Sequence, residues 1–460
     1  MQLLHHSSVI RPGRVIAVLL WLGLAIAAIL AAAGKTAVPV PGPSLAMALL
    51  TLFVAAVVAT FSLRYMRADR RGTAFFVKLA ALVASVLVFL TAGNVIVLAA
   101  AWCLSGLLLA RLIGHCEDWP EAAAAARRAR LSFAVGDAGL LAALGILAAH
   151  AGSVRIDAIL AAATTMPPAL ATASAVLLLA AAVARCAVPP FAGWLLSSMT
   201  APTPVSALMH AGLVNAGGFL MIRFAPVFEA APGARILAIA AGLFGAIYGV
   251  GIMLARPDVK RSLAGSTISQ MGFMVMSCGL GAYGAALWHI IAHGLFKAWL
   301  FLGSGSAIGM KPGAPATSLP PLANLAAAAA TVGIALAIVS SGDGDATLVP
   351  LLLGLATAAA MLIGALRGRV GAGIKAVLVA ALAGLAGLHA MGLSLATAAT
   401  GPNAAPIVPD AALIALLIAF LGTWLWQQHR LALGLGLPLR LYVHLINAGT
   451  LRSAGKGEFA

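Results

Sequence analysis

Three titratable side chains lie four residues apart inside a long apolar run of the sequence. The segment HIIAHGLFKAWLFLG, residues 289–303, contains His289, His293 and Lys297. Four residues of an α-helix turn through about 400°, so the three side chains follow one slowly drifting face over about 12 Å. An imidazole that titrates near neutral pH and an amine can exchange a proton through intervening water. This spacing therefore predicts a membrane proton relay.

Three further ionisable residues fall well inside apolar segments, namely Asp137, Arg185 and His210. Each costs at least about 2.5–3.5 kcal/mol at the centre of a membrane span, so each is a candidate for the ion pathway. Pro189 and Pro190 follow Arg185, remove two backbone donors and predict a break in that helix. Two structural alternatives remain open: Arg185 can simply neutralise Asp137, and His210 can be a hydrogen-bonding residue between helices.

The elements that must position these residues are predicted from composition. The chain has 460 residues, of which 62% are hydrophobic and 9% are charged, which excludes a soluble globular domain of this size. About 20 apolar residues cross a bilayer as a helix. Such runs predict an all-α polytopic membrane protein with about fourteen spans. They lie at residues 14–34, 44–65, 73–92, 94–113, 131–150, 168–188, 203–224, 235–255, 259–281, 283–309, 319–340, 347–366, 376–396 and 409–428.

The basic residues behind the formal charge of +16 are concentrated on one predicted side of the membrane. Most Lys and Arg residues, including the runs RYMRADRR, RRAR, RPDVKR and RGR, lie at the termini or after even-numbered spans. The positive-inside rule therefore predicts that both termini are cytoplasmic. It also accounts for the basic excess without a nucleic-acid partner.

Other classes of function find little support in the sequence. The four cysteines are scattered and have no metal-ligand spacing, so we expect apolar packing residues and no metal site. There is no soluble domain large enough for an active site, so we expect no catalysis and no cofactor in this chain. An isolated histidine, His389, is expected to be structural.

Several motifs resemble the antiporter-like subunits of respiratory complex I and of multisubunit cation/proton antiporters. They are DVKRSLAGSTISQMGFM (258–274), HIIAHGLFKAWLFLGSGS (289–306) and APTPVSALMHAG (201–212), and the resemblance runs in order from about Trp102 to Gly309. Within that superfamily, residues 185–228 look most like the DabB family, the membrane subunits of DAB-type inorganic carbon transporters.

The resemblance implies a fold of two inverted five-helix repeats, each with a broken helix. It divides the chain into N-terminal helices (1–93), a first repeat (94–230), a second repeat (231–380) and C-terminal helices with a cytoplasmic surface tail (381–460). The family's intramembrane aspartate falls on Asp137, its broken-helix lysine on Arg185 and the histidine of the next helix on His210. Its central relay falls on the 289–297 row.

The sequence departs from the respiratory pattern at three positions. Arg185 stands where a titratable lysine is expected, and arginine does not release its proton. Cys103 stands after Trp102 where the respiratory subunits carry a glutamate. The segment IVSSGDGDATLVP, residues 338–350, lacks the lysine of the second broken helix. We therefore expect one central path through Asp137, His210 and the 289–297 row.

The function implied by the resemblance is ion conduction, with protons as the expected ion and sodium as the alternative. The chain would energise inorganic carbon (CO2/bicarbonate) uptake by a cytoplasmic DabA-like zinc subunit related to β-carbonic anhydrases, in a bacterial inner membrane. One alternative is a subunit of a redox-linked complex or cation/proton antiporter. The other is a membrane scaffold that anchors its partner without conducting.

Overall fold

The computed structural model describes residues 2–34, 42–307, 321–341, 347–354 and 371–450. Within these ranges the chain forms α-helices and four short 3-10 helices joined by turns and loops, and no strand occurs. The helices with defined bounds are α1 (Gln2–Ala32), α2 (Gly42–Tyr65), α3 (Gly72–Thr91), α4 (Val95–Ile113), α5 (Pro120–Ala151), α6 (Ile156–Ala162), α7 (Pro168–Arg185), α8 (Ala192–Ser197), α9 (Thr203–Ala211), α10 (Ala216–Arg223), α11 (Ala225–Glu229), α12 (Pro232–Ala255), α13 (Val259–Leu280), α14 (Tyr283–Gly303), α15 (Pro321–Ser340), α16 (Ala372–Thr400), α17 (Asp410–Ala432) and α18 (Leu439–Asn447).

Eleven stretches of the described helices are long and apolar enough to cross a membrane, and they correspond to eleven of the predicted spans. The predicted span 259–281 is α13, a helix of 22 residues that is more polar than these eleven. The predicted span 319–340 corresponds to α15. Residues 355–366 of the predicted span 347–366 lie outside the described residues, as do residues 342–346 of the segment expected to form the second helix break. An all-α polytopic membrane protein is confirmed.

The first helix break separates α7 from α8. Helix α7 ends at Arg185, and residues 186–191 have no helical structure before α8 begins at Ala192. Pro189 and Pro190 lie in this gap and are joined by a cis peptide bond. The break therefore leaves Arg185 at the buried C-terminal end of a helix, where carbonyl groups favour a positive charge.

The predicted span 203–224 corresponds to the apolar stretch Thr203–Arg223, and a second interruption divides it. Helix α9 ends at Ala211, a 3-10 turn covers Leu213–Asn215 and α10 then continues to Arg223. The backbone leaves the helical conformation at Gly212, with φ −123° and ψ −65°. The Asn215 side-chain amide donates to the Ala211 carbonyl at 2.8 Å and so replaces one of the lost helical bonds. The interruption follows His210 directly.

Helices α12 and α13 pack closely because glycines remove side chains from their interface. A Cβ atom added to Gly249 would lie 2.2 Å from the Ser269 nitrogen, and one added to Gly242 would lie 2.4 Å from the Met276 nitrogen. Small residues permit this backbone approach in membrane helices. The contact holds α13, which carries several polar residues of the candidate site, firmly against α12.

The basic loops that follow predicted spans four and eight meet the C-terminal segment at one face of the protein. Arg128, near the start of α5, donates to the carbonyls of Gly449 at 3.0 Å and Thr450 at 3.2 Å. Arg256, directly after α12, donates to the Ala448 carbonyl. These contacts place the three regions on the same side, as the charge distribution predicted; that this side is cytoplasmic stays a prediction.

Two arginines on the opposite predicted side cap helix ends. Arg235 is 2% exposed and donates to the carbonyls of Gly279 at 3.0 Å and Leu280 at 2.8 Å, at the end of α13. Arg223 donates to carbonyls at the end of α3, those of Phe89, Leu90 and Ala92. Cations stabilise the negative end of a helix. These two exceptions to the charge pattern therefore have a structural reason.

Candidate functional site

Arg185 lies at the centre of a buried polar cluster between α4, α5 and α7. Its Nη2 atom is 3.4 Å from the Asp137 Oδ1 atom and 3.1 Å from the Trp102 carbonyl oxygen, and its Nη1 atom donates to the Ser105 hydroxyl at 3.3 Å. The Trp102 Nε1 atom donates to the same Asp137 oxygen at 2.8 Å. We call these four residues the arginine cluster.

Aromatic rings enclose the Arg185 guanidinium on its remaining faces. The guanidinium carbon lies 4.3 Å from the Trp102 ring centre and 4.8 Å from the Phe133 ring centre, within the range of cation–π attraction. A Cβ atom added to Gly106 would lie 3.1 Å from both terminal nitrogens, so this glycine leaves room for the charged group. Because a guanidinium keeps its proton in proteins, the arginine cluster holds a fixed positive charge.

His210 of α9 packs against residues of α14 that are distant from it in sequence. It is fully buried, and its ring stacks on Phe301 with 4.1 Å between ring centres. Phe301 is one turn beyond Lys297, and His293 lies one turn before Lys297, against the His210 backbone. His210 therefore sits beside α14 at the level of Lys297. We call His210, His289, His293 and Lys297 the histidine–lysine row.

Lys297 is held by neutral oxygen atoms of α13. It is 1% exposed, and its Nζ atom donates to the Leu263 carbonyl at 3.1 Å and to the Ser266 hydroxyl at 2.9 Å. In the described parts of the chain no carboxylate lies within 4.0 Å of this nitrogen. The buried ammonium therefore lacks the counter-ion that Arg185 has.

The histidines of the row are close to one another and only partly hydrogen-bonded. The rings of His289 and His293 are stacked with 5.8 Å between centres and 17° between planes. The His210 Nδ1 atom lies 3.0 Å from the Thr267 hydroxyl oxygen. The Nε2 atoms of His210, His289 and His293 are buried and have no hydrogen-bond partner among the described residues. Such atoms are rare in folded proteins, and a buried water molecule is a common partner for them.

The arginine cluster and the histidine–lysine row are separate networks. Among the described residues no hydrogen bond or ion pair connects them, and α10 packs against both α7 and α14. A cavity of about 650 Å³ opens beside the first helix break and is lined partly by Arg128, Ser132, Pro189 and Pro190. None of the residues that line it belongs to either network.

Several participants were missed by the sequence analysis. Trp102 and Ser105 bind Asp137 and Arg185, while Ser266, Thr267 and the Leu263 carbonyl bind the row. Ser266 and Thr267 lie in the quoted motif DVKRSLAGSTISQMGFM, so the resemblance contained a signal for them. A backbone carbonyl has no signal in residue type, because every residue has one.

The structure has the architecture of an antiporter-like membrane subunit. It matches a chain in the structure of the Mrp complex from Dietzia sp. DQ12-45-1b with a TM-score of 0.65 and 25% sequence identity, over 93% of this chain and 56% of that chain. The family of transmembrane domains described as NADH:quinone oxidoreductase/Mrp antiporter matches residues 92–384, which include both networks. The chain belongs to this family.

Relatives of known name agree with this assignment. The probable inorganic carbon transporter subunit DabB1 of Halothiobacillus neapolitanus is 40% identical over 269 residues, which cover 57% of this chain and 48% of the relative. Subunit L of the NADH-quinone oxidoreductase of Mycobacterium tuberculosis is 38% identical over 268 residues, 58% of this chain and 42% of the relative. The probable DabB of Bacillus subtilis is 37% identical over 57% of this chain and 52% of the relative. The chain spans about half the length of these curated relatives.

Proposed function

We propose that this chain conducts protons as the membrane subunit of a two-component inorganic carbon uptake system. The observation that carries this proposal is the histidine–lysine row. Among the described residues, it combines a buried ammonium without a counter-ion and three buried imidazole nitrogens without a hydrogen-bond partner. Groups of this kind can gain and lose protons inside a membrane when water reaches them.

The chemistry of the row favours protons over sodium ions. Sodium in membrane transporters is coordinated by oxygen atoms, typically carbonyls of unwound helices. The polar side-chain atoms of the row are instead nitrogens. The oxygen atoms that bind Lys297 already accept hydrogen bonds from its ammonium group. A proton that moves along the row changes the local charge by one unit. Such a movement across 100 mV supplies about 2.3 kcal/mol, enough to bias a coupled process.

The link to inorganic carbon rests on similarity. Two of the relatives are named as inorganic carbon transporter subunits, and the motif resemblance points to the same family. The partner that we propose is a cytoplasmic zinc protein related to β-carbonic anhydrases. It would bind this chain at the bacterial inner membrane. In this scheme the arginine cluster contributes a fixed charge beside the pathway, and Asp137 is its counter-ion.

Complementation of a bacterium that lacks carbonic anhydrase tests the proposal. The chain and its candidate partner are expressed together, and growth is measured at ambient CO2. We expect rescue by the natural chain and loss of rescue by Lys297→Ala and Asp137→Asn, with normal amounts of each variant in the membrane. Lys78→Ala is the matched control, because Lys78 is a half-buried lysine on α3, remote in sequence from the row. It should rescue fully.

Three results would overturn or redirect the proposal. Full rescue by Lys297→Ala and Asp137→Asn would contradict conduction and favour the scaffold. Rescue that is abolished by a sodium ionophore and not by a protonophore would replace protons with sodium. Cation/proton exchange by the chain in membrane vesicles, together with a failure to rescue growth, would favour the antiporter or redox-linked subunit.

A further inference from the structure

Thr267 of α13 makes two hydrogen bonds that together determine where the His210 proton resides. Its Oγ1 atom lies 3.0 Å from the Leu263 carbonyl oxygen, one turn earlier on the same helix. The same Oγ1 atom lies 3.0 Å from the His210 Nδ1 atom. A carbonyl oxygen only accepts hydrogen bonds, so the hydroxyl proton of Thr267 points to Leu263. The hydroxyl oxygen must therefore accept from His210, which requires a proton on Nδ1.

A neutral imidazole has one N–H group, and its other nitrogen carries a lone pair. With the proton on Nδ1, the lone pair of His210 is on Nε2, the atom that is buried without a partner among the described residues. We propose that Thr267 is a positioning residue that holds His210 in its Nδ1-protonated form, so that His210 takes up and releases protons only at Nε2. This inference rests on the proposed function, since it assigns a direction of exchange within the row.

The Leu263 carbonyl connects Thr267 to Lys297. This oxygen accepts both the Thr267 hydroxyl and the Lys297 Nζ–H at 3.1 Å. A carbonyl does not release a proton, so this connection fixes positions and does not conduct. One oxygen therefore contributes to the placement of both the lysine and the histidine.

The proton step that follows is balanced. An N–H bond of the Lys297 ammonium breaks, the proton crosses an intervening water, and an N–H bond forms at His210 Nε2. Lys297 becomes a neutral amine and His210 becomes an imidazolium that still holds its Nδ1 proton against Thr267. Loss of the proton from Nε2 to the next acceptor restores the starting tautomer. No step requires the Thr267 hydroxyl to exchange its own proton.

The tautomer can be observed directly by nitrogen NMR. The full chain is labelled with ¹⁵N-histidine and placed in lipid nanodiscs, and the His210 signals are assigned by their loss in His210→Gln. We expect a protonated Nδ1 and an unprotonated Nε2 in the natural chain. Thr267→Val keeps the shape of the side chain but removes the acceptor, so the Nε2-protonated form should appear. Thr267→Ser keeps the acceptor and should preserve the natural spectrum.

A matched control separates this role from a general effect of losing a buried hydroxyl. Ser277 is buried on the same helix, and its hydroxyl donates to the Phe273 carbonyl at 2.9 Å, the same bond that Thr267 makes to Leu263. Ser277→Ala should leave the His210 signals unchanged. In the growth assay we expect Thr267→Val to lower the uptake rate about tenfold, Thr267→Ser to restore it, and Ser277→Ala to have little effect.

The outcomes distinguish this inference from the proposed function. An Nε2-protonated His210 in the natural chain, or an unchanged spectrum in Thr267→Val, would overturn the role of Thr267 whatever the growth assay shows. If the NMR result is as expected and Thr267→Val still rescues fully, His210 exchange at Nε2 does not contribute to transport and the inference is wrong. If Lys297→Ala also rescues, the proposed function fails independently of the tautomer.

Discussion

The arginine cluster and the histidine–lysine row both bury positive charge inside the membrane, but they stabilise it in opposite ways. Arg185 has a carboxylate, a hydroxyl, a carbonyl and two aromatic rings around it. Lys297 has one carbonyl and one hydroxyl, and the histidines beside it leave three nitrogens without partners among the described residues. The positive charge of the first network is paired with a carboxylate, whereas that of the second network has no counter-ion among the described residues.

This difference indicates a division of roles. A charge that is paired and enclosed is costly to disturb and is suited to folding and to a constant local field. A buried ammonium without a counter-ion loses no ion-pair energy when it releases its proton, and the neutral amine avoids the desolvation cost of the ion. In the function that we propose, the arginine cluster supplies a constant field and the histidine–lysine row carries the protons.

Removal of Arg185 should destabilise the protein strongly. Arg185→Met leaves Asp137 as a buried carboxylate without its cation, and we expect a loss of about 3–5 kcal/mol in the free energy of unfolding, measured by denaturant titration in detergent. The double variant Arg185→Met/Asp137→Asn removes both charges and should recover much of this loss. Equal stability of the single and double variants would contradict the pairing. Arg155→Met breaks the exposed Arg155–Asp157 pair and should have little effect.

Separation of α9 from α14 should change the spacing of the histidine–lysine row and leave the arginine cluster in place. A Cβ atom added to Gly294 would lie 2.7 Å from the Ala211 carbonyl oxygen, so Gly294→Ala must push the two helices apart. We expect a loss of stability of about 1–3 kcal/mol together with reduced uptake. Gly303→Ala on the same helix is the control, because its added Cβ meets no atom within 4 Å. Natural uptake by Gly294→Ala would show that the spacing of His210 and His293 is unimportant.

Replacement of Lys297 should not lower the free energy of unfolding, in contrast to replacement of Arg185. Lys297→Met removes a buried charge that has no counter-ion among the described residues and fills the site with an apolar chain. We expect the free energy of unfolding to stay the same or rise by about 1 kcal/mol while uptake is lost. A destabilisation similar to that of Arg185→Met would mean that the two networks are alike, and the division of roles would be wrong.

Loss of His389 should have the smallest effect. Its Nδ1 atom accepts a hydrogen bond from Trp288 Nε1 at 2.9 Å, and the side chain is otherwise exposed on α16. Hydrogen bonds between membrane helices contribute about 0.6 kcal/mol on average, so His389→Leu should change stability by about that amount. Uptake should be natural, in line with the expectation that His389 is structural. A loss of uptake would extend the row to α16.

The sequence predicted the fold class and the ionisable members of both networks, but not Trp102 and Ser105 of the arginine cluster. Long apolar runs located eleven stretches that can cross a membrane, because the length of such a run depends only on local composition. The span at 203–224 is present, but its interruption at Gly212 was not predicted, since it depends on packing and on the Asn215 side chain. The domain boundaries and the ion-pathway roles stay predictions.

The sequence by itself determined that His289, His293 and Lys297 share a helical face, because the spacing of residues on a helix is fixed by backbone geometry. It also determined that Asp137 and Arg185 are costly in a membrane and need partners. Only the tertiary structure decided which partners they have: it gave Arg185 a carboxylate and placed His210 beside Lys297. The reason is that α5 with α7, and α9 with α14, meet only when distant parts of the chain pack together.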